Sequence, residues 1–297
     1  MSTIAFNPQA LQPGWELSGE RRRARNTAAA SENKIHDDEV ARRYGFGGGL
    51  VPGATSYAYL ASWLTRALGP LWAAHGSATI ALVKPVYEGE EVRLGGRVTA
   101  MAGDTERGSL ALECWVDGPD GVRRATGTVA LTWGEPRATE PWPAFARRDL
   151  PSRRREERPP LSAATAPVGE PLPPVVFAMD DAARTRYLDD IEEGQPLFRA
   201  ASPFGGPLVH PGWYLHAANR VLSENFALGL WIHTRSEVRH LAPALARGVY
   251  RGYGQITAAF EKRGHEYVTA DVLIVDGDER PVARVLHTAI VVVAARA

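Results

Sequence analysis

Two stretches of the chain repeat one order of features at a spacing of about 159 residues. "VPGATSYAYLASWLTRALGPLW" (51–72) lies against "HPGWYLHAANRVLSENFALGLW" (210–231), with Pro52/Pro211, Gly53/Gly212 and Trp72/Trp231 in step. "PVYEGEEVRLGGRVTA" from Pro85 then lies against "PALARGVYRGYGQITA" from Pro243, sharing the proline, Gly96/Gly254 and Thr99/Thr257. Both halves close on an Asp-Gly turn, at "DGPDG" (117–121) and "DGDE" (276–279). Such an internal repeat means that each half is one complete unit, and 297 residues suffice for two.

Within the first half, Tyr57, Leu60, Ala61, Leu64 and Leu68 recur at helical spacing, while Ala58, Tyr59 and Trp63 make the opposite side apolar as well. A helix apolar all round is a buried one. Long β-type runs follow: "SATIALV", "EVRLGGRVTAM", "SLALECWV" and "RATGTVALTW", matched later by "HTRSEVRHL", "VYRGYGQITAAFEK", "EYVTADVLIV" and "ARVLHTAIVVV". They are rich in β-branched residues and joined by Asp-Gly turns, which predicts antiparallel strands. The expected class is α+β: a tandem hot-dog fold, each half a long buried helix wrapped by an antiparallel sheet, with the two sheets joined into one. The halves are placed at 1–134 and 175–297. Residues 134–174 hold ten of the 22 prolines and the run "RRDLPSRRREER", so 135–174 is expected to be an extended, solvated connector without strand or helix.

Composition narrows the function. Basic and acidic residues number 34 each, which argues against a chain held on nucleic acid or an anionic membrane. No apolar run approaches the ~20 residues a membrane helix needs, and no leader pattern stands at the N-terminus. A lone cysteine, Cys114, fits a reducing cytoplasm; it sits in an alternating run and is expected to be a buried strand thiol. No histidine pair has a metal-ligand spacing, and no metal or cofactor is called for.

One loop stands out for its chemistry. "SENKIHDDEVARRYGFGGGLVPG" (31–53) sets Asn33 and His36 ahead of a glycine-rich bend that leads into the first buried helix. The bend is not a phosphate cradle, since no Lys-Ser/Thr follows it. The loop resembles that of the MaoC-like (R)-specific enoyl-CoA hydratase/3-hydroxyacyl dehydratase family, roughly Gly-Asp-x-Asn-Pro-x-His-x-Asp, with Asn33, His36 and Asp38 on the pattern. Three positions depart from it: the family's Asp is Ser31, its Pro is Lys34, and Pro52 stands where a His often precedes the helix glycine. The second half lacks the motif, Gln195 occupying the place of His36, although His210 precedes its helix. One active site at most is expected, with the second half as structural partner and substrate wall.

The resemblance implies a lyase acting on an enoyl- or 3-hydroxyacyl-thioester, carried by CoA or an acyl carrier protein, as in fatty acid metabolism. His36 is the expected acid/base and Asn33 would orient it or the water. The backbone at Gly53, with Val51 and Pro52 beside it, would bind the thioester oxygen at the positive end of the helix. Glu32 is the substitute for the carboxylate absent at Ser31, and His210 is a further substrate-binding candidate. Two other readings stay open: a hot-dog acyl-CoA thioesterase, and a catalytically silent acyl-thioester-binding scaffold. So does pairing with a second copy of the chain. The plainer roles also stand: His36 as a loop residue, and Asp37 or Asp38 as helix N-caps.

Overall fold

Residues 11–135 and 139–294 are described by the structure, a computed structural model of the chain. In chain order the elements are β1 (Glu16–Arg23), a 3₁₀ turn (Lys34–His36), α1 (Asp38–Arg43), α2 (Gly53–His75), β2 (Ser77–Leu82), β3 (Glu91–Gly103), β4 (Gly108–Asp117) and β5 (Arg123–Trp133). A second 3₁₀ turn (Arg155–Glu157) is followed by β6 (Pro171–Ala178), α3 (Asp181–Asp190), α4 (Pro196–Arg199) and α5 (Gly212–Asn225). The chain ends with β7 (Ile232–His240), β8 (Val249–Lys262), β9 (His265–Val275) and β10 (Pro281–Val292).

The ten strands form one antiparallel sheet, ordered β1-β3-β4-β5-β2-β7-β10-β9-β8-β6. Read outward from the centre, β2-β5-β4-β3-β1 and β7-β10-β9-β8-β6 are the same topology twice. The two copies meet where β2 pairs with β7, from Ser77↔Arg239 to Ala81↔Arg235. Inward positions alternate as the pleat requires, with Leu110, Leu112, Cys114 and Val116 of β4 all buried. They close on α2, which is buried on every side from Ala54 to Thr65 and interrupted only at Gly69–Pro70. Burial pushes the Cys114 thiol up to about 12, so it carries no thiolate at neutral pH. None of the described helices is long and apolar enough to cross a membrane.

Two expectations need correction. β1, "ELSGERRR", was not foreseen. Its outward residues are charged and it lacks apolar alternation, because it is an edge strand bonded on one side to β3. The connector, expected to be solvated and free of regular structure, carries the start of β6 at Pro171 and packs on the second half of the sheet. Pro173 and Pro174 fall where the β6–β8 register shifts, on the outermost strand, a place that tolerates proline's missing donor. Phe145 is buried with Tyr253, Leu273 and Val275. Trp142 meets Tyr253 edge-on with the Arg148 guanidinium over its ring. Glu140 binds Arg239 and Arg284.

Candidate active site

The opening loop is fixed by its own polar groups. The Asn33 carboxamide accepts from the Ile35 N–H to cap the 3₁₀ turn, and Asp37 accepts from the Val40 N–H to cap α1. Asp38 accepts from the Gly49 N–H at 2.8 Å and pairs with Arg42, ties that hold its carboxyl below the usual range. The bend then crosses directly over the turn. A Cβ on Gly49 would stand 2.2 Å from the His36 carbonyl oxygen, so only glycine fits. The Leu50 N–H donates to the Ile35 carbonyl, and the Asn26 side chain donates to that of His36.

This packing sets the His36 tautomer. Nδ1 lies 2.7 Å from the Leu50 carbonyl oxygen, which only accepts, so Nδ1 carries the proton and Nε2 presents a lone pair. Burial lowers the imidazole pKa and the bond to Leu50 partly opposes the shift, so the ring is neutral near pH 7. Nε2 is 3.4 Å from Asn33 Nδ2. The same carboxamide donates to the Trp231 carbonyl at 2.8 Å and accepts from the Trp231 N–H at 3.3 Å, tying the loop to the residue before β7.

Beside this ring begins α2. Its N-cap is Pro52, which supplies no side-chain cap, and the Pro52 carbonyl accepts from the Thr55 and Ser56 N–H groups. The N–H groups of Gly53 and Ala54 belong to the first turn and have no intrahelical acceptor. A Cβ on Gly53 would stand 2.1 Å from Leu82 Cδ1 and 2.8 Å from His233 Nδ1. The glycine therefore makes room for these protein neighbours.

Two cavities flank His36. The larger, about 660 Å³, is bounded by the loop (Ser31, Glu32), the start of α2 (Ala54, Thr55), the connector (Arg155, Arg158) and one face of α5. The smaller, about 310 Å³, is largely apolar, with Ile35, Phe46, Leu50, Val51, Val116 and Ile290 among its walls, and it also reaches Gly53 and His233. Asn33, His36, Pro52, Asn219 and Trp231 line both cavities, so His36 stands where they meet.

Of the residues singled out in sequence, His36, Asn33, Pro52, Val51 and Gly53 come together here. Ser31 lines the larger cavity and its hydroxyl donates to the Asn33 carbonyl. Glu32 is exposed at the mouth, its carboxylate paired with Arg155. His210 is not a cavity residue. It is buried, its Nδ1 accepting from the Gly212 N–H at 3.1 Å and its Nε2 lying 3.0 Å from Ser62 Oγ and 3.8 Å from Glu193 Oε2. It caps α5 from inside the core, and Phe198 packs against its ring.

Several wall residues escaped the sequence reading. His216, Asn219, Arg220 and Ser223 form a polar stripe on α5 at i, i+3, i+4 and i+7, and the spacing was visible in the sequence. His233 ends a buried chain in which Nε2 is 2.9 Å from Ser236 Oγ, itself 2.9 Å from His287 Nδ1. Burial holds His233 at about 4, so it is uncharged at neutral pH. His216 presents much of its surface to the cavity.

No family model matches the chain, and no curated protein matches it by sequence. Solved structures share its fold. A structure described as a MaoC domain protein dehydratase from Chloroflexus aurantiacus superimposes with a TM-score of 0.72 at 10% identity, covering 97% of this chain and 98% of that one. A conserved hypothetical protein of Mycobacterium tuberculosis with a double hotdog fold gives 0.70 at 14% identity, covering 98% and 99%. One described as an oleoyl thioesterase from Lactobacillus plantarum gives 0.50 at 13% identity, covering 94% and 97%. The chain has the double hot-dog fold of the MaoC-like dehydratases, a fold that also carries thioesterases.

Proposed function

We propose that the protein is a hydratase/dehydratase acting on enoyl- and 3-hydroxyacyl-thioesters, with His36 as its acid/base. One observation carries this reading: the Nε2 of a neutral His36, its lone pair met within the protein by the Asn33 amide at a long 3.4 Å, stands at the junction of a polar and an apolar cavity, beside the uncapped start of α2.

The chain of events needs few groups. The acyl tail occupies the apolar cavity and the carrier arm the polar one, with the thioester oxygen at the first-turn N–H groups of α2. Nε2 takes one proton from water as the water oxygen bonds to the β-carbon. The electron pair of the double bond moves onto the thioester oxygen as an enolate, which the helix-start donors stabilise by ~3 kcal/mol for one well-placed donor. The imidazolium then returns its proton to the α-carbon, and dehydration is the reverse. No carboxylate is required, in keeping with Ser31 at the family's Asp position and with Glu32 paired to Arg155. Hydrolysis of the thioester would instead need an activated water at the carbonyl carbon.

Crotonyl-CoA separates the readings. Loss of the conjugated absorbance without thiol release is the expected outcome. Thiol release would make the protein a thioesterase, and binding with neither change would make it a silent acyl-thioester carrier.

A further inference from the structure

The site as drawn has a base for the reacting oxygen but nothing else to hold it. Asn219 stands in the right place. It lies at the middle of the polar stripe of α5, lines both cavities, and shares their junction with His36, Asn33, Pro52 and Trp231. The carboxamide makes no hydrogen bond within the described residues, and its Oδ1 is buried and unpartnered. The other amide at the junction has no such freedom: both the donor and the acceptor of Asn33 are engaged by Trp231. An unpaired buried amide oxygen is costly and finds a partner where one is available. Around Asn219 the available partner is whatever enters the cavities.

We infer that Asn219 is the second residue on the reacting oxygen. The water that adds to the β-carbon, or the 3-hydroxyl that leaves in the reverse direction, is held between His36 Nε2 and the Asn219 amide. This deepens the hydratase reading and rests on it. Of the two water protons, one passes to Nε2 as the oxygen–carbon bond forms, and the other stays on oxygen, which accepts from Asn219 Nδ2. Oδ1, buried as the side chain stands, can accept from the product hydroxyl once the amide turns about its last bond. A neutral amide does this without a second charge beside the base, so His36 keeps its lone pair near neutrality, where a carboxylate would favour the imidazolium. The site is then composite: the loop and helix start come from one copy of the fold and the oxygen-holding wall from the other.

Two variants test this. Asn219→Ala is expected to lower kcat on crotonyl-CoA by about tenfold to a hundredfold, with KM nearly unchanged and an unaltered melting temperature, since one hydrogen bond to the reacting oxygen is lost. Asn219→Asp is expected to raise the His36 titration, followed by the imidazole proton resonances, by about one pH unit or more. That readout needs no activity. Failure of the hydratase reading shows first, as an unaltered protein that does not hydrate crotonyl-CoA. Failure of this inference shows separately, as an Asn219→Ala enzyme with wild-type kcat or an Asn219→Asp protein in which His36 titrates as before.

Discussion

The starts of α2 and α5 are the same piece of a duplicated fold put to opposite uses. Each is preceded by a Pro-Gly step, Pro52-Gly53 and Pro211-Gly212. At α5 the space ahead of the helix is full: His210 turns back to accept the Gly212 N–H, and Ser62, Glu193 and Phe198 occupy the rest. At α2 nothing caps the first turn and two cavities open beside it. A hot-dog helix start is an anion-stabilising device whose partial positive charge goes to whatever sits there. In one copy the protein's own imidazole takes it, and in the other it is left for a ligand. The difference lies in a few side chains and in one backbone angle, Pro52 being extended at ψ 138° where Pro211 is already helical at ψ −29°.

Exchanging the two histidines for alanine gives the largest test of that contrast. His36→Ala is expected to lower kcat/KM on crotonyl-CoA by ~10²–10⁴ with little loss of stability. His210→Ala is expected to leave kcat intact and to cost about 2–5 kcal/mol in denaturant unfolding, because a fully buried ring is removed and the Gly212 N–H loses its acceptor. A folded His210→Ala protein without activity would break the comparison.

Acid sharpens it next. Burial holds His233 and His240 at about 4, against an ordinary 6.5, so the unfolded chain takes up their protons first as pH falls. Stability is complete above pH 6.5 and is lost between 6.5 and about 4, by about 1.4 kcal/mol per pH unit for each such group. Melting temperature against pH reads this directly. The smallest effect belongs to Glu32→Gln. It breaks an exposed pair with Arg155, worth roughly 0.2–1 kcal/mol, and should leave kcat unchanged. A hundredfold loss would mean that this carboxylate reaches the chemistry after all.

How much of this was legible in the sequence followed the range of the interactions involved. The helix at Gly53 and the long strands announce themselves through local periodicity and through repetition, and the loop from Ser31 to Gly53 carries its own caps, so His36 could be found by reading along the chain. β1 could not, because "ELSGERRR" becomes a strand only by pairing with β3, about 75 residues later. The far wall of the site was equally hidden. Asn33 meets Trp231 across 198 positions, and Asn219 belongs to a helix whose sequence resembles a core element apart from one polar stripe. His210 misled because its place before Pro211 is the same in a helix start that is plugged and in one that is open.

The clamp between Asn33 and Trp231 has a consequence for ancestry. A lone copy of the fold, paired with an identical copy, would make that junction twice; a fused chain needs it only once, and here it is made from the loop of the first copy to the strand of the second. Once that cross-tie existed, neither half was redundant. The second copy cannot be discarded without undoing the loop that carries His36.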